Sequence, residues 1–599
     1  MKLLVPTTVR LACVLLPGVI AGLAVMSPMA RAAEIDDASA PDSPRPQIDG
    51  AAENWRADID LAPSPGLKTR PIVVKWEYST DGGTTFTGRP AAGAPPNMKT
   101  GMAPRAFRGT FDIDDPKAVA GLWVRIVAQQ TAQSKPSICT GDLTAASGGY
   151  WKDLGHCPTL LNARVLLNGR PVPTKRDTLY FWLPLEAPLT RGKNTIELSG
   201  DCYTFWESPA AEAVTARLVA AAPQPASIYS GPQLGDFGDG YFTVACRTQL
   251  PADVVLEARP LEPAGQSVTV ISTNKIWHRI KVPVPPGTRT VTYTLKSRVG
   301  PHETSRGPFA LSFPGKEFRF IAMGNLMAHS STVERLKLLA SRVVAAKPAL
   351  ILNTGNISEH GSWDYAWERR FFEPAGKMVA SIPTFLTPRH DDLAGIVQEM
   401  HCTPAPDMYS HNWSKAVGPV RFIGLNSLQS WKPDGQNTKW LEKELSDSRE
   451  KFIFALSAYP AFSSGNHSKK LFPGMIQSRD VIMPLLAKYQ ASALISGSDP
   501  DYERCEPTPD KGCTQIVIGC SGKDVHRFSG PAIELNPFSK GKGRDWAGAE
   551  QTRAILIFDV KENSVEMRCV EMSDDPRQID EKEFRIIDRK TFQARREKP

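Results

Sequence analysis

Phe318-Arg319-Phe320-Ile321-Ala322-Met323-Gly324-Asn325 and Ala349-Leu350-Ile351-Leu352-Asn353-Thr354-Gly355-Asn356 decide how this chain is read. Each is a short apolar run that breaks on a Gly-Asn pair, as a buried strand does when it ends in a tight loop. Between them Ser331 to Ala345 reads as a helix, and a second helix rich in Trp363, Trp367 and Phe371 follows. Strands alternating with helices predict an α/β layered domain whose functional loops lie at strand ends. It is placed at 316–590, long enough for one large core.

Working back from Gly315, the pattern is all-β. Residues 224–315 hold strands such as Tyr241–Ala245, Trp277–Val282 and Val291–Leu295, with a turn at Pro285-Pro286-Gly287. About 90 residues of this kind suit a fibronectin- or immunoglobulin-like sandwich. Before it, residues 51–221 hold Trp123–Val127, Ala163–Leu167 and Asn194–Leu198, bounded by Gly, Asn and Pro. That stretch predicts a first β-sandwich. Its Leu167-Asn168-Gly169 and Gly192-Lys193-Asn194 turns resemble those of the galactose-binding-like jelly roll. Residues 33–50 read as a linker and 591–599 as a basic tail.

The first 32 residues read as a secretory signal. Lys2 and Arg10 precede a largely apolar Leu11–Val25, and Ala30-Arg31-Ala32 has the small-x-small cleavage pattern. An uncut membrane anchor is the alternative, but Pro17, Gly18 and Gly22 interrupt the run. The expectation is a secreted, periplasmic or cell-surface protein with no stable membrane insertion after cleavage. The 71 basic and 63 acidic side chains give +8, and removing Lys2, Arg10 and Arg31 leaves 8 − 3 = +5. Spread over 599 residues, that argues against a nucleic-acid partner. Without Cys13 nine cysteines remain, so at least one thiol stays unpaired within the chain. Cys139–Cys157 and Cys505–Cys513 are the expected disulfides, each closing a short loop in an oxidising compartment. Cys246 and Cys569, in apolar strands, are expected as buried thiols.

The α/β region resembles the calcineurin-like metallophosphoesterases, most closely the purple-acid-phosphatase-like branch, whose members carry an immunoglobulin-like domain ahead of the catalytic one. The resemblance covers 224–590. The family's loops read GD-x-G, GD, GNH-[ED], H-x-P-x-[YF]-SSG and GH-x-H-x-YER, and they gather ligands around two metal ions that activate a bridging water. Here the loops read Met323-Gly324-Asn325-Leu326-Met327, Thr354-Gly355-Asn356-Ile357 and Pro388-Arg389-His390-Asp391, then Ala458–Gly465 and Gly497–Arg504. By this resemblance, Asn325, Asn356, Arg389, Ala458, Ser498 and Pro500 stand where the six metal ligands belong. The separations are 356 − 325 = 31, 389 − 356 = 33, 458 − 389 = 69 and 498 − 458 = 40. Five loops in the family's order set this apart from a single short match.

His390 and Asp391 are the retained catalytic positions. His390 stands at the family's proton donor, or it now caps a loop as a vestige. His329, His360 and His467 lie near the loops in sequence and read as scattered surface groups, while Lys469, Lys470 and Lys540–Arg544 read as solvated surface. Amides, a hydroxyl, an alanine and a proline do not replace anionic and imidazole donors. No cofactor is therefore expected; an active enzyme would need two iron, zinc or manganese ions. Three functions remain open. The first is a non-catalytic pseudophosphatase that binds or scaffolds, with a phosphorylated ligand against Arg389. The second is a phosphoric-ester hydrolase with an atypical metal site. The third is a carbohydrate- or surface-binding protein acting through the first sandwich.

Overall fold

The computed structural model describes residues 67–88, 102–128, 158–172, 178–179, 183–185, 187–204, 214–326, 332–357, 367–389, 392, 412–464, 473–522 and 553–595. The expected signal, the linker and the Cys139–Cys157 pair lie outside them.

The amino-terminal region is built of a four-stranded sheet and a six-stranded sheet. They share a core of Phe107, Phe111, Val124, Leu160, Val165, Ile196 and Leu218. Its long central strands, Met102–Ile113 and Gly192–Thr204, pair antiparallel along their whole length. The Asn168-Gly169 turn has φ of 51° and 73°, the left-handed pair that a two-residue hairpin needs. Trp123 and Val219 pack this region against Leu250, Ala252 and Ile276 of the next.

The second region is one continuous five-stranded sheet where two separate sheets were expected. The reason is strand Tyr241–Glu262, which is 22 residues long and pairs with three neighbours. A register shift between Arg247 and Ala252 bends it, as bulges do. Both halves then contribute to one core, through Phe242 and Val244 on one side and Leu256 and Leu295 on the other.

Residues 318–593 form two six-stranded sheets packed face to face. In the first, Thr384–Leu386, Leu350–Asn353 and Phe318–Met323 run parallel. Ala554–Val560, Ser564–Glu571 and Ile586–Gln593 follow antiparallel. The last strand crosses the boundary drawn at 590. In the second sheet, Val420–Leu425, Phe452–Ser457, Ala493–Ser496 and Thr514–Ile518 run parallel. Strands buried on both faces read as unbroken apolar runs, and here alternation sorts the faces. Phe320, Phe422, Phe454 and Phe558 point between the sheets, with Phe320 stacked on Phe558 at 4.3 Å. Ile321, Met323 and Ile351 point outward to helices Val333–Ala345 and Glu373–Ser381. Ile423, Ile453 and Leu494 point to helices Gln436–Asp447 and Met483–Lys488. The order is helix, sheet, sheet, helix. Trp367, Phe371 and Phe372 are buried core side chains.

Cys505 and Cys513 are separate thiols, contrary to the expected bridge. Antiparallel pairing sets Cys505 opposite Gln515, whose side-chain amide donates to its Sγ at 3.8 Å. Cys513 lies two residues off that register, a diagonal of about 7 Å that a disulfide does not span. Cys246 and Cys569 are buried thiols.

Candidate functional site

All five loops singled out in the sequence follow the carboxyl ends of parallel strands, because each strand enters its sheet in the same direction. In open α/β sheets that edge is where ligands bind. Asn325 and Asn356 each follow a strand by two or three residues, with φ of 53° and 56°. Asn tolerates the left-handed region better than most residues. Both are nearly inaccessible. The Asn325 N–H donates to the Gly355 carbonyl at 3.0 Å, and the Asn356 side-chain amide donates to Asn325 Oδ1. The two loops are thus joined amide to amide.

The second and third loops are joined by Asp392. Its fully buried carboxylate accepts from the N–H groups of Asn356, Ile357 at 2.9 Å and Arg389 at 3.0 Å. The sequence pointed to Asp391; the clamp is its neighbour. Two consecutive Asp residues after His390 carry no mark of which one reaches back. Arg389 is half-buried at this junction.

The fifth loop meets the second through glycine. A Cβ on Gly497 would lie 2.4 Å from Thr354 Oγ1, and one on Gly324 1.9 Å from the same atom. Only bare backbone admits that hydroxyl between the two sheets. Ser498 is buried with φ of 77°, and Pro500 is buried beside it. Ala458, in the fourth loop, packs with Tyr459 and Met475 in a small apolar cluster. The fourth and fifth loops are tied by side chains: Ser463 Oγ donates to Asp499, and Ser464 donates to Glu503 through Oγ at 2.7 Å and N–H at 2.8 Å. Asp499, Asp501 and Glu503 are all buried. Burial, with the Asp499 and Glu503 charges next to it, pushes the Asp501 carboxyl well above its ordinary range. This acid group, like Asp392, was not singled out from sequence.

Asn325, Asn356, Arg389, Ala458, Ser498 and Pro500 are therefore brought to the carboxyl-end edge of the two packed sheets. His390, Asp391, His329, His360, His467, Lys469, Lys470 and 540–544 lie outside the described residues. The edge is polar in an unusual way. Asn353 Nδ2, Thr354 Oγ1, Thr387 Oγ1, Asn426 Nδ2, Ser427 Oγ, Ser498 Oγ and Asp501 Oδ1 are buried with no hydrogen-bond partner among the described residues. Six of the seven are amide or hydroxyl groups that can donate. Among the described residues no three His, Cys, Asp or Glu side chains gather in a way that would hold a metal ion. Nor is any helix among them long and apolar enough to cross a membrane.

No protein-family model and no curated protein matches the sequence. Solved structures do match in fold. The purple acid phosphatase PPD1 of yellow lupin (Lupinus luteus) seeds superposes with a TM-score of 0.53 at 13% identity, over 82% of this chain and 93% of that one. PhoD superposes at 0.44 with 11% identity, over 61% and 91%. GAP50 of the Plasmodium inner membrane complex gives 0.36 with 17% identity, over 47% and 90%. The lupin superposition passes the level at which a fold is shared. The chain shares its fold with that purple acid phosphatase.

Proposed function

We propose that this protein is a non-catalytic metallophosphoesterase homologue whose loop cluster binds or scaffolds, and that it acts outside the cytoplasm after loss of residues 1–32. The observation that carries the reading is the hydrogen bond from Asn356 Nδ2 to Asn325 Oδ1. At these two positions the resemblance calls for carboxylates sharing metal ions. Whichever amide donates, an N–H group fills the space between them, and an N–H repels a cation.

The other donors do not fit a metal pair either. Ala458 and Pro500 offer no side-chain ligand, Ser498 offers a neutral hydroxyl, and Arg389 brings a permanent cation. The neighbouring carboxylates are engaged elsewhere: Asp392 by three backbone N–H groups, Asp499 by Ser463, Glu503 by Ser464. Without the ions there is no activated water, and hydrolysis loses its nucleophile.

The ligand we assign to the cluster is a phosphorylated small molecule. Support comes from the buried hydroxyls and amides left without partners among the described residues on the loop edge that also carries Arg389, since a guanidinium pairs with phosphate oxygens by two parallel bonds. Binding of this kind yields no rate by itself. Calorimetry with inorganic phosphate and a sugar phosphate should show weak binding that Arg389→Ala removes. Phosphatase and phosphodiesterase assays with added iron, zinc or manganese should show no turnover. Equal binding by both proteins refutes the ligand, and turnover lost in His390→Ala refutes the non-catalytic reading.

A further inference from the structure

A buried acid stands on the seam between the bent sheet and the layered domain, between the second and third loops in sequence. Helix Glu373–Ser381 and the π-helical turn Glu368–Phe372 before it pack on strand Ile228–Gly238. That strand is buried over its first eight residues because the layered domain covers it. The seam is fastened by Tyr293, whose hydroxyl donates to the Ala380 carbonyl at 2.6 Å. Lys415 adds an ion pair with Asp236 at 2.8 Å.

Glu368 opens the π turn and is 9% exposed. Its Oε2 has no hydrogen-bond partner among the described residues. The groups facing it come from each neighbouring element. Strand Ile228–Gly238 offers the Ser230 hydroxyl, strand Tyr241–Glu262 offers Arg247, and strand His302–Ser312 offers Arg306. Both arginines also serve other groups. Arg306 donates to the Ile228 carbonyl at 3.0 Å, and Arg247 lies over the Tyr229 and Trp277 rings. The turn itself carries Arg370, and Glu373 from the following helix adds a like charge. Helix Val333–Ala345 contributes Leu336, Leu339 and Val343, and its buried Arg342 serves three carbonyls elsewhere.

We propose that Glu368 is a pH-sensitive latch between the bent sheet and the layered domain: protonated, it closes the seam, and ionised, it loosens it. Ionised, the buried carboxylate would hold charge on Oε2, which no hydrogen bond meets among the described residues, and the arginines nearby only partly offset its desolvation. Burial raises the carboxyl from 4.5 to about 7, against the opposing pull of Ser230, Arg306 and Arg247. The sign follows from linkage. The closed seam holds the proton more tightly than the opened one, so closure is fully favoured below the ordinary Glu value. It weakens as pH rises to about 7 and is constant above that.

Hydrogen exchange on the full chain, corrected for intrinsic rate, tests this at residues 228–238 and 373–381. Wild type should show seam opening that rises on the order of a hundredfold between pH 5 and pH 8, while the inner strands 452–457 stay flat. Glu368→Gln should hold the low-pH level throughout. Arg306→Met, which removes a cation that favours the ionised acid, should move the wild-type midpoint upward. A flat wild-type profile overturns the latch, as does a pH response that survives in Glu368→Gln or a midpoint that Arg306→Met leaves in place.

Discussion

The two halves of the loop cluster handle charge in opposite ways. On the side of the first sheet, Asn325 and Asn356 are neutral and satisfy one another. On the side of the second sheet, Asp499, Asp501 and Glu503 remain acids, buried within five residues. Two take serine donors, and burial pushes the carboxyl of the third well above its ordinary range. The contrast shows two ways of keeping polar groups in a buried loop cluster. One uses neutral amides that satisfy one another. The other meets carboxylates with hydroxyl donors, and burial raises one of them.

The largest effect should come from Asp392, the acid that joins the second and third loops. Asp392→Ala strands three buried N–H groups and should cost about 3–5 kcal/mol, read as a fall in denaturant midpoint. Asp392→Asn should recover part of it. Next comes the acid side. Because Asp501 is raised in the folded chain, its stabilising effect is whole below its ordinary value of 3.8 and declines as pH rises. Asp501→Asn should therefore flatten the fall in melting temperature between pH 5 and pH 8. An unchanged slope would mean the acid is already ionised and paired. On the neutral side, Asn356→Asp sets a carboxylate against Asn325 Oδ1 and should cost about 1–3 kcal/mol, with no gain of phosphatase activity. The smallest change is Ser498→Gly. Relief of φ at 77° should be worth about 0.5–1 kcal/mol in melting experiments.

Much of this was legible in the chain. Apolar runs ending in Gly-Asn fixed where the strands stop, and strand direction then carried Asn325, Asn356 and Ser498 to one edge. Two kinds of feature were not legible. Clamping by Asp392 depends on loop curvature, which neighbouring aspartates do not encode. Pairing of Cys505 depends on register, and register put Gln515 opposite it. The bent single sheet turned on one shift inside strand Tyr241–Glu262, which no turn residue announces. Glu368 sat in an aromatic helix stretch that read as plain core, and its setting comes from a strand 138 residues earlier (368 − 230).

Metal stoichiometry bears most directly on the central claim. Full-length protein equilibrated with iron, zinc or manganese and then desalted would be analysed by mass spectrometry for metal per chain, alongside Asn325→Ala/Asn356→Ala. The amide pair predicts well under one equivalent in both proteins. Two equivalents in the wild type, lost in the double variant, would show that the loops still hold a dinuclear centre.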